Sequence, residues 1–373
     1  MTATEAAVRL VASPSAWLAP EAIRQLYASA GLEGARLAVG FPDLHADRAF
    51  PVGAALVTEE FIHPRIIGGD IGCGMALFTT SLSRRKVELE RWAEQRFDLE
   101  HPWEGDTAAY LAAHGLEPAP FDRALGTLGE GNHFAELQQV EQVFDPAFLK
   151  ACGVRAEQLV LLVHSGSRGA GDAVLRDFVA GRGGEGAPAG SADADAYLAG
   201  HDAALRWARA NRSLIAARFA ATLGAAALPI WDGCHNSITP APAEGLWVHR
   251  RGAVTTDGGF AVIPGSRGAL SYLVRVTGDG ESHGWSLAHG AGRKWGRSEA
   301  RLRMRERFGA RQLAHTALGG RVICEDRAAL YEEAPAAYKD IESVIEDLAN
   351  AGLVSVAATF RPLLTYKTRK LYR

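Results

Sequence analysis

The stretch Asp70-Ile71-Gly72-Cys73-Gly74-Met75 sets a carboxylate and a thiol three residues apart in a turn made tight by glycine. Asp70 offers a hard oxygen and Cys73 a soft sulfur, and the small residues between them let both point at one ion. Further donors stand in separate polar segments: Asn132-His133, His164, and Cys234-His235-Asn236. Three imidazoles, a thiolate and a carboxylate suffice for two metal ions that share a ligand. They exceed the set that a single structural zinc draws from two close pairs. Taken one at a time, each donor has a bland alternative, since a cysteine in an apolar run is ordinarily a small core residue and a loop histidine is ordinarily solvated. What favours a site is one local pattern repeated, a histidine beside glycine, serine or asparagine. It occurs in Gly131-Asn132-His133, His164-Ser165-Gly166-Ser167-Arg168-Gly169, Cys234-His235-Asn236 and His289-Gly290-Ala291-Gly292-Arg293.

Phosphate handling is a second theme. Three loops join small residues to arginine: His164 to Gly169, Pro264-Gly265-Ser266-Arg267-Gly268, and His289 to Arg293. Consecutive backbone N–H groups exposed by glycine and serine form an anion nest, and arginine adds a bidentate fork. Beside a metal constellation, such loops suit more than one phosphoryl group, as in a triphosphate and an RNA end. The alternative for Arg168, Arg267 and Arg293 is a surface ion pair. His289 reads two ways, as another metal ligand or as a nucleophile. A neutral imidazole attacks an α-phosphate in line once metal ions offset the charge on the oxygens and on the leaving pyrophosphate.

Elements that must carry these residues follow from periodicity and punctuation, which give mixed α/β character with no internal repeat. Helices are expected at Pro20 to Ser29, Ser83 to Phe97, from the Ser191 cap to about Leu223, at Ser298 to Phe308, and at Pro335 to Ala349. Strands are expected at Gly34 to Gly40, Gly53 to Thr58, Leu228 to Trp231, Leu246 to His249, Phe260 to Pro264 and Tyr272 to Val276. The continuous apolar run Leu159 to His164 reads as a buried strand delivering His164 at its C-terminal end. Gly181 to Gly190 reads as a surface loop, an excursion rather than a domain boundary. The simplest organisation is one continuous domain whose loops converge on one site.

Composition sets the outer bounds. The 373 residues, 47% hydrophobic and 22% charged, can bury a large core. A formal net charge of -3 excludes a general polyanion binder, so nucleic-acid contact must come from local basic patches. Cysteines at 73, 152, 234 and 324 lack paired spacing and fit a reducing cytosol. The N-terminal segment has no secretory pattern, and no apolar run approaches membrane-spanning length, so a cytoplasmic protein without membrane association is expected.

The segments FPDLHAD, DIGCGM, LGEGNHFAE, HSGSRG, the Cys234-His235-Asn236 turn, IPGSRG, SLAHGAGR and EEAPAAYKDI stand in the order seen in the RtcB family of RNA ligases. The chain resembles that family from about residue 40 to 370. Its variant wording, with VICED and RPLLTYKT, is similar to the bacterial subgroup coupled to peptide release factor H. The resemblance implies an α+β fold, a single domain over residues 1–373 with a central β-sheet core flanked by helices and an active site in converging loops. It implies a GTP- and Mn²⁺-dependent ligase joining RNA 2′,3′-cyclic-phosphate or 3′-phosphate ends to 5′-hydroxyl ends in RNA repair. Carried over by motif, Asp70, Cys73, His133, His164 and His235 would hold two Mn²⁺ ions, with Cys73 bridging, and His289 would accept GMP. Asp43 would sit near the reacting RNA ends as a positioning group or proton acceptor. Asn132 and Asn236 would line the nucleotide or metal pocket, Glu136 and Lys367 would contact guanine, and Arg168 and Arg293 would hold RNA or nucleotide phosphates.

Departures from the family pattern are few. Cys234 replaces the first of two histidines, Arg251 replaces a lysine, and Asp47-Arg48-Ala49 replaces Gly-Lys-Gly. The chain also extends past Lys367 into a basic tail, Thr368 to Arg373. Two other functions would use the same residues differently. A metal-dependent RNA-end phosphoesterase would keep the ligands but have no use for nucleotide at His289. A non-catalytic RNA-binding partner of a release factor would tolerate loss of Cys73.

Overall fold

The computed structural model describes residues 6–368, so residues 369–373 of the expected basic tail lie outside the described residues. Two sheets carry the site. An eight-stranded sheet runs in the order Phe260–Pro264, Ser271–Val276, Val354–Thr368, Phe134–Val143, Gln158–Ser165, Gly74–Ser83 and Ala227–Cys234, with Arg321–Cys324 pairing parallel to the long strand Val354–Thr368. A five-stranded sheet runs Ala7–Leu10, Ala35–His45, Val52–Glu59, Leu246–Arg251 and Asn236–Pro240. The fold is α+β, with mostly antiparallel sheets and helices packed around them. Among the described residues, no helix is long and apolar enough to cross a membrane.

The run Leu159 to Val163 is fully buried, because both faces of its strand are covered, by the helix Ala192–Thr222 on one side and by core residues such as Val262 and Leu273 on the other. That helix begins where serine promises it: the Ser191 hydroxyl accepts the Ala194 N–H at 3.3 Å. It lies on the strands through Ala204, Ala208, Ile215 and Phe219, and it also buries His201, Asn211 and Arg212.

Three expected elements differ. In place of a helix from Ser83 to Phe97, the strand continues to Ser83, one 3-10 turn follows at Arg84–Lys86, and the helix is confined to Leu89–Glu94. Phe97 and Leu99 are drawn into the core beneath Phe219, which ends the helix early. The glycine-rich stretch after Gly181 is not all loop: Gly183 terminates the helix Gly169–Arg182 in the left-handed region, and Ala187–Pro188 pairs with Phe61–Ile62. The expected helix at Pro335 divides into a 3-10 turn, Pro335–Ala337, and a helix Ile341–Asn350 capped by Asp340. Lys339 is buried at the break and Tyr338 partly so.

Buried histidines give the fold an acid limit. His249 is fully buried; its Nε2 accepts the His63 N–H at 2.8 Å while Nδ1 lies 3.2 Å from the Leu56 carbonyl. Burial, reinforced by His63, lowers its pKa to about 3. The unfolded chain protonates this ring near pH 6.5, so its contribution is complete above that pH and is lost as pH falls toward 3. The unfolding free energy from urea titrations run downward from pH 7 is expected to fall below pH 6.5, by about 1.4 kcal/mol per pH unit for this one group. In His249→Gln that slope is expected to flatten, and an unchanged slope would remove His249 as its source.

Candidate active site

The Asp70–Cys73 turn is closed by the Cys73 N–H donating to the Asp70 carbonyl at 3.1 Å. Gly72 sits at φ +80°, and a Cβ there would meet Ala208 of the long helix at 2.9 Å, so the turn packs as it does only with glycine. Arg212, fully buried on that helix, anchors the surroundings. Its Nη1 donates to the carbonyls of Gly72 at 2.7 Å and Ser165 at 2.8 Å, and its fork pairs with Asp232 at 2.8 and 2.6 Å. One guanidinium thus ties the turn to the strand end after His164 and to the strand that leads to His235. The His235 N–H completes the frame by donating to the Cys73 carbonyl at 2.9 Å.

Within that frame the five expected ligands meet. Cys73, His164 and His235 form one cluster of ligand atoms, and Asp70, Cys73 and His133 form another, all within 4.8 Å of one another inside each cluster. Cys73 Sγ belongs to both, 3.2 Å from His164 Nε2 and 3.5 Å from His133 Nε2. His164 Nε2 and His235 Nε2 are 3.3 Å apart, and His133 Nε2 lies 3.7 Å from Asp70 Oδ2. His164 presents Nδ1 to the Asn132 carbonyl at 3.2 Å; a carbonyl only accepts, so Nδ1 carries the proton and Nε2 keeps its lone pair.

Burial pushes the His164 and His235 pKa values well below the usual range, aided by neighbouring imidazoles, so both are neutral donors. Burial and the adjacent Asp70 carboxylate push the Cys73 thiol well up. For Asp70 burial acts in the opposite sense, but the hydrogen bond and charge of His133 prevail and lower it to about 2. Lone pairs converging on a buried sulfur beside an ionised, half-exposed carboxylate are a donor set that fits divalent cations, and a bound cation reverses the penalty on the thiolate.

His289 stands next to this cluster, its ring 4.7 Å from that of His235. Its Nδ1 donates to Asp43 Oδ2 at 2.7 Å, and its backbone N–H reaches the same oxygen at 3.2 Å. A carboxylate accepts only, so Nε2 is left with the lone pair. Asp43 is fully buried behind the imidazole and meets His289, not the open cavity. Gly292, at φ +71°, lies so close to Asp43 that a Cβ would collide with its carbonyl.

A cavity of about 900 Å³ opens over these groups, lined by Asp70, Cys73, Asn132, His164, His235, Asn236 and His289 at one end. Glu136, Arg267, Arg293, Glu333, Tyr338 and Lys367 line it further on. Glu136 accepts from Gln138 at 2.7 Å and Thr365 at 2.5 Å, and burial raises its pKa to about 7. Lys367 lies 3.9 Å from Glu333. Arg293 has its donors committed to Glu333, Tyr338 and the carbonyls of Glu332 and Trp295. Arg267 is buried and bonded to the Leu330 carbonyl, not paired at the surface. A second hollow of about 580 Å³, lined by Asp70, Asn132, His133, Arg168 and Arg297, adjoins the first. Asn236 is engaged on both sides, donating to the Asp70 carbonyl at 3.3 Å and accepting from the Gly252 N–H at 2.9 Å.

Two of the departures from the family pattern meet. Arg251 pairs with Asp47 at the cavity wall and donates to the Ile66 carbonyl at 2.8 Å. Cys234 is buried and donates weakly to the carbonyls of Cys73 and Asn236. Residue patterns did not single out Arg212, Asp232, Asn211 or Lys339. Asn211 bridges the Gly126 N–H and the Thr127 carbonyl, and Arg212 sits in an alanine-rich helix with no motif around it.

A family model described as tRNA-splicing ligase RtcB matches residues 25–117 and 116–368. The chain is 43% identical to RNA-splicing ligase RtcB2 of Escherichia coli, covering 97% of this chain and 96% of that one. It is 30% identical to RNA-splicing ligase RtcB of Mycobacterium tuberculosis, over 88% and 96%. Against tRNA-splicing ligase RtcB of Methanococcus maripaludis it is 27% identical, over 88% and 87%. The chain belongs to the RtcB family of tRNA-splicing ligases.

Proposed function

We propose that the chain is an RNA ligase that joins 2′,3′-cyclic-phosphate or 3′-phosphate ends to 5′-hydroxyl ends, using GTP and two Mn²⁺ ions, through guanylate carried on His289. The observation that carries this reading is the pair of donor clusters sharing Cys73, with the His289 ring 4.7 Å from His235 and its Nδ1 held by Asp43. Asp70, Cys73, His133, His164 and His235 would hold the metals, which supply charge neutralisation for phosphoryl oxygens and leaving groups. Donor chemistry fits Mn²⁺ and also zinc, and metal supply would select between them.

His289 Nε2, with its proton confined to the far nitrogen, is the nucleophile toward the α-phosphorus of GTP. An N–P bond forms as the bond to pyrophosphate breaks. Asp43 stabilises the imidazolium that results, as the buried aspartate of a catalytic triad does. A cyclic end is first opened by water, which adds to phosphorus as the P–O2′ bond breaks and leaves a 3′-phosphate and a 2′-hydroxyl. Guanylate then passes to the 3′-phosphate, and the 5′-hydroxyl attacks that activated end and expels GMP. Glu136 and Lys367, an acceptor and a donor in the wall of the same cavity, suit the edge of a guanine. Arg168 and Arg297, at the adjoining hollow, suit RNA phosphates. The same reading places the protein in cytoplasmic RNA repair beside a release-factor-H-like partner, on the strength of its variant motifs.

The test uses GTP labelled at the α-phosphate with Mn²⁺ and the intact protein. An acid-labile, alkali-stable protein adduct is expected. No adduct under conditions where the metals are bound would overturn the reading, and would leave the phosphoesterase as the activity to assay.

A further inference from the structure

Lys339 occupies the break between the 3-10 turn Pro335–Ala337 and the helix Ile341–Asn350, and its side chain is only 9% exposed. A buried ammonium costs free energy unless its donors are used. Here Nζ donates to the carbonyl of Pro42 at 2.8 Å and to that of Leu44 at 2.7 Å, the two residues flanking Asp43. The Lys339 backbone N–H donates to the Gly292 carbonyl at 3.0 Å, in the loop that begins at His289. Trp17 covers the ammonium from the cavity rim, with Nζ 5.8 Å from the ring centre. Among the described residues Lys339 makes no ion pair, yet its charge interacts with that of Asp43, whose Oδ1 is buried without a hydrogen-bond donor.

One residue therefore grips both halves of the Asp43–His289 pair, the strand through its side chain and the loop through its backbone. We propose that Lys339 is a positioning residue for guanylate transfer. It fixes the chain on either side of Asp43 and supplies the counter-charge for the carboxylate, so that Asp43 holds His289 with Nε2 toward the phosphorus. Lys339 does not line the cavity and touches no reacting atom. This inference rests on the reading of His289 as the guanylate acceptor.

A double-mutant cycle on single-turnover adduct formation tests it, with α-labelled GTP, Mn²⁺ and the full chain. Lys339→Met is expected to lower the maximal rate by about 10- to 100-fold, the usual cost of losing a partner that orients a working group. The GTP concentration for half-maximal rate should move less than about twofold, and metal content should stay at the wild-type value. In an Asp43→Asn background the same substitution should cost less than about threefold, because its route is already cut. Equal losses in both backgrounds, a change in half-saturation alone, or an unchanged rate would each overturn the proposal. If Lys339→Met fails to fold, the cycle is run with Lys339→Gln, which keeps N–H donors without the charge, and additive losses there overturn it equally. Absence of any adduct in the wild type would sink the underlying reading as well, whereas an adduct indifferent to residue 339 sinks only this one.

Discussion

Cys73→Ala is expected to empty both metal positions and to lower ligation by about 10³-fold or more. The sulfur lies within ligand distance of both donor clusters, so its removal leaves each with two side chains and no soft anion. Lewis-acid stabilisation of a phosphoryl transition state amounts to several kcal/mol, and about 1.4 kcal/mol is a tenfold change in rate. The contrast is His133→Ala, which takes a donor from the cluster with Asp70 and leaves Cys73, His164 and His235 intact. Metal content after dialysis should fall to none in the first variant and to one ion in the second. If Cys73→Ala still holds two ions, the shared-sulfur arrangement is wrong.

His289→Ala should form no adduct while binding metal as the wild type does, since His289 lies outside both ligand clusters. Asp43→Asn separates positioning from nucleophilicity. An amide in place of the carboxylate loses the charge that complements the imidazolium and can present N–H to Nδ1, favouring the wrong tautomer. Guanylylation is expected to slow by about 10²- to 10⁴-fold with metal content unchanged. Metal loss in either variant would show that His289 and Asp43 belong to the ligand set. A wild-type rate in Asp43→Asn would remove the hydrogen bond from the mechanism.

What was legible in the chain follows from what side chains reveal of their surroundings. The strand Gln158–Ser165 is apolar on both faces, and the helix Ala192–Thr222 starts at a capping serine, so both were expected close to where they lie. The strands Phe134–Val143 and Val354–Thr368 escaped notice because Glu136, Gln138, Thr365 and Lys367 interrupt their apolar pattern. Those residues are buried: Glu136 accepts from Gln138 and Thr365, Lys367 faces Glu333, and Glu136, Thr365 and Lys367 line the cavity. The ligand-bearing loops could be found because glycine and asparagine mark places where backbone turns or comes near a ligand.

Arg212 and Lys339 could not be found that way. Each works on backbone carbonyls far away in sequence, at Gly72 and Ser165 for one and at Pro42 and Leu44 for the other. Every residue has a carbonyl, so the partner's identity leaves no mark in the sequence. A lone arginine on an alanine-rich helix then looks like an ordinary surface charge, and Lys339, though it stands in the EEAPAAYKDI segment, shows nothing there of the carbonyls it binds.

The contact between Arg251 and Asp47 makes two positions more than two hundred residues apart one unit of exchange. Replacing Asp47 with glycine leaves the Arg251 guanidinium at the cavity wall without its carboxylate, whereas Arg251→Lys keeps the charge and gives up the planar fork that also reaches the Ile66 carbonyl. A change at either position is therefore felt at the other, so the effects of the two substitutions should not add.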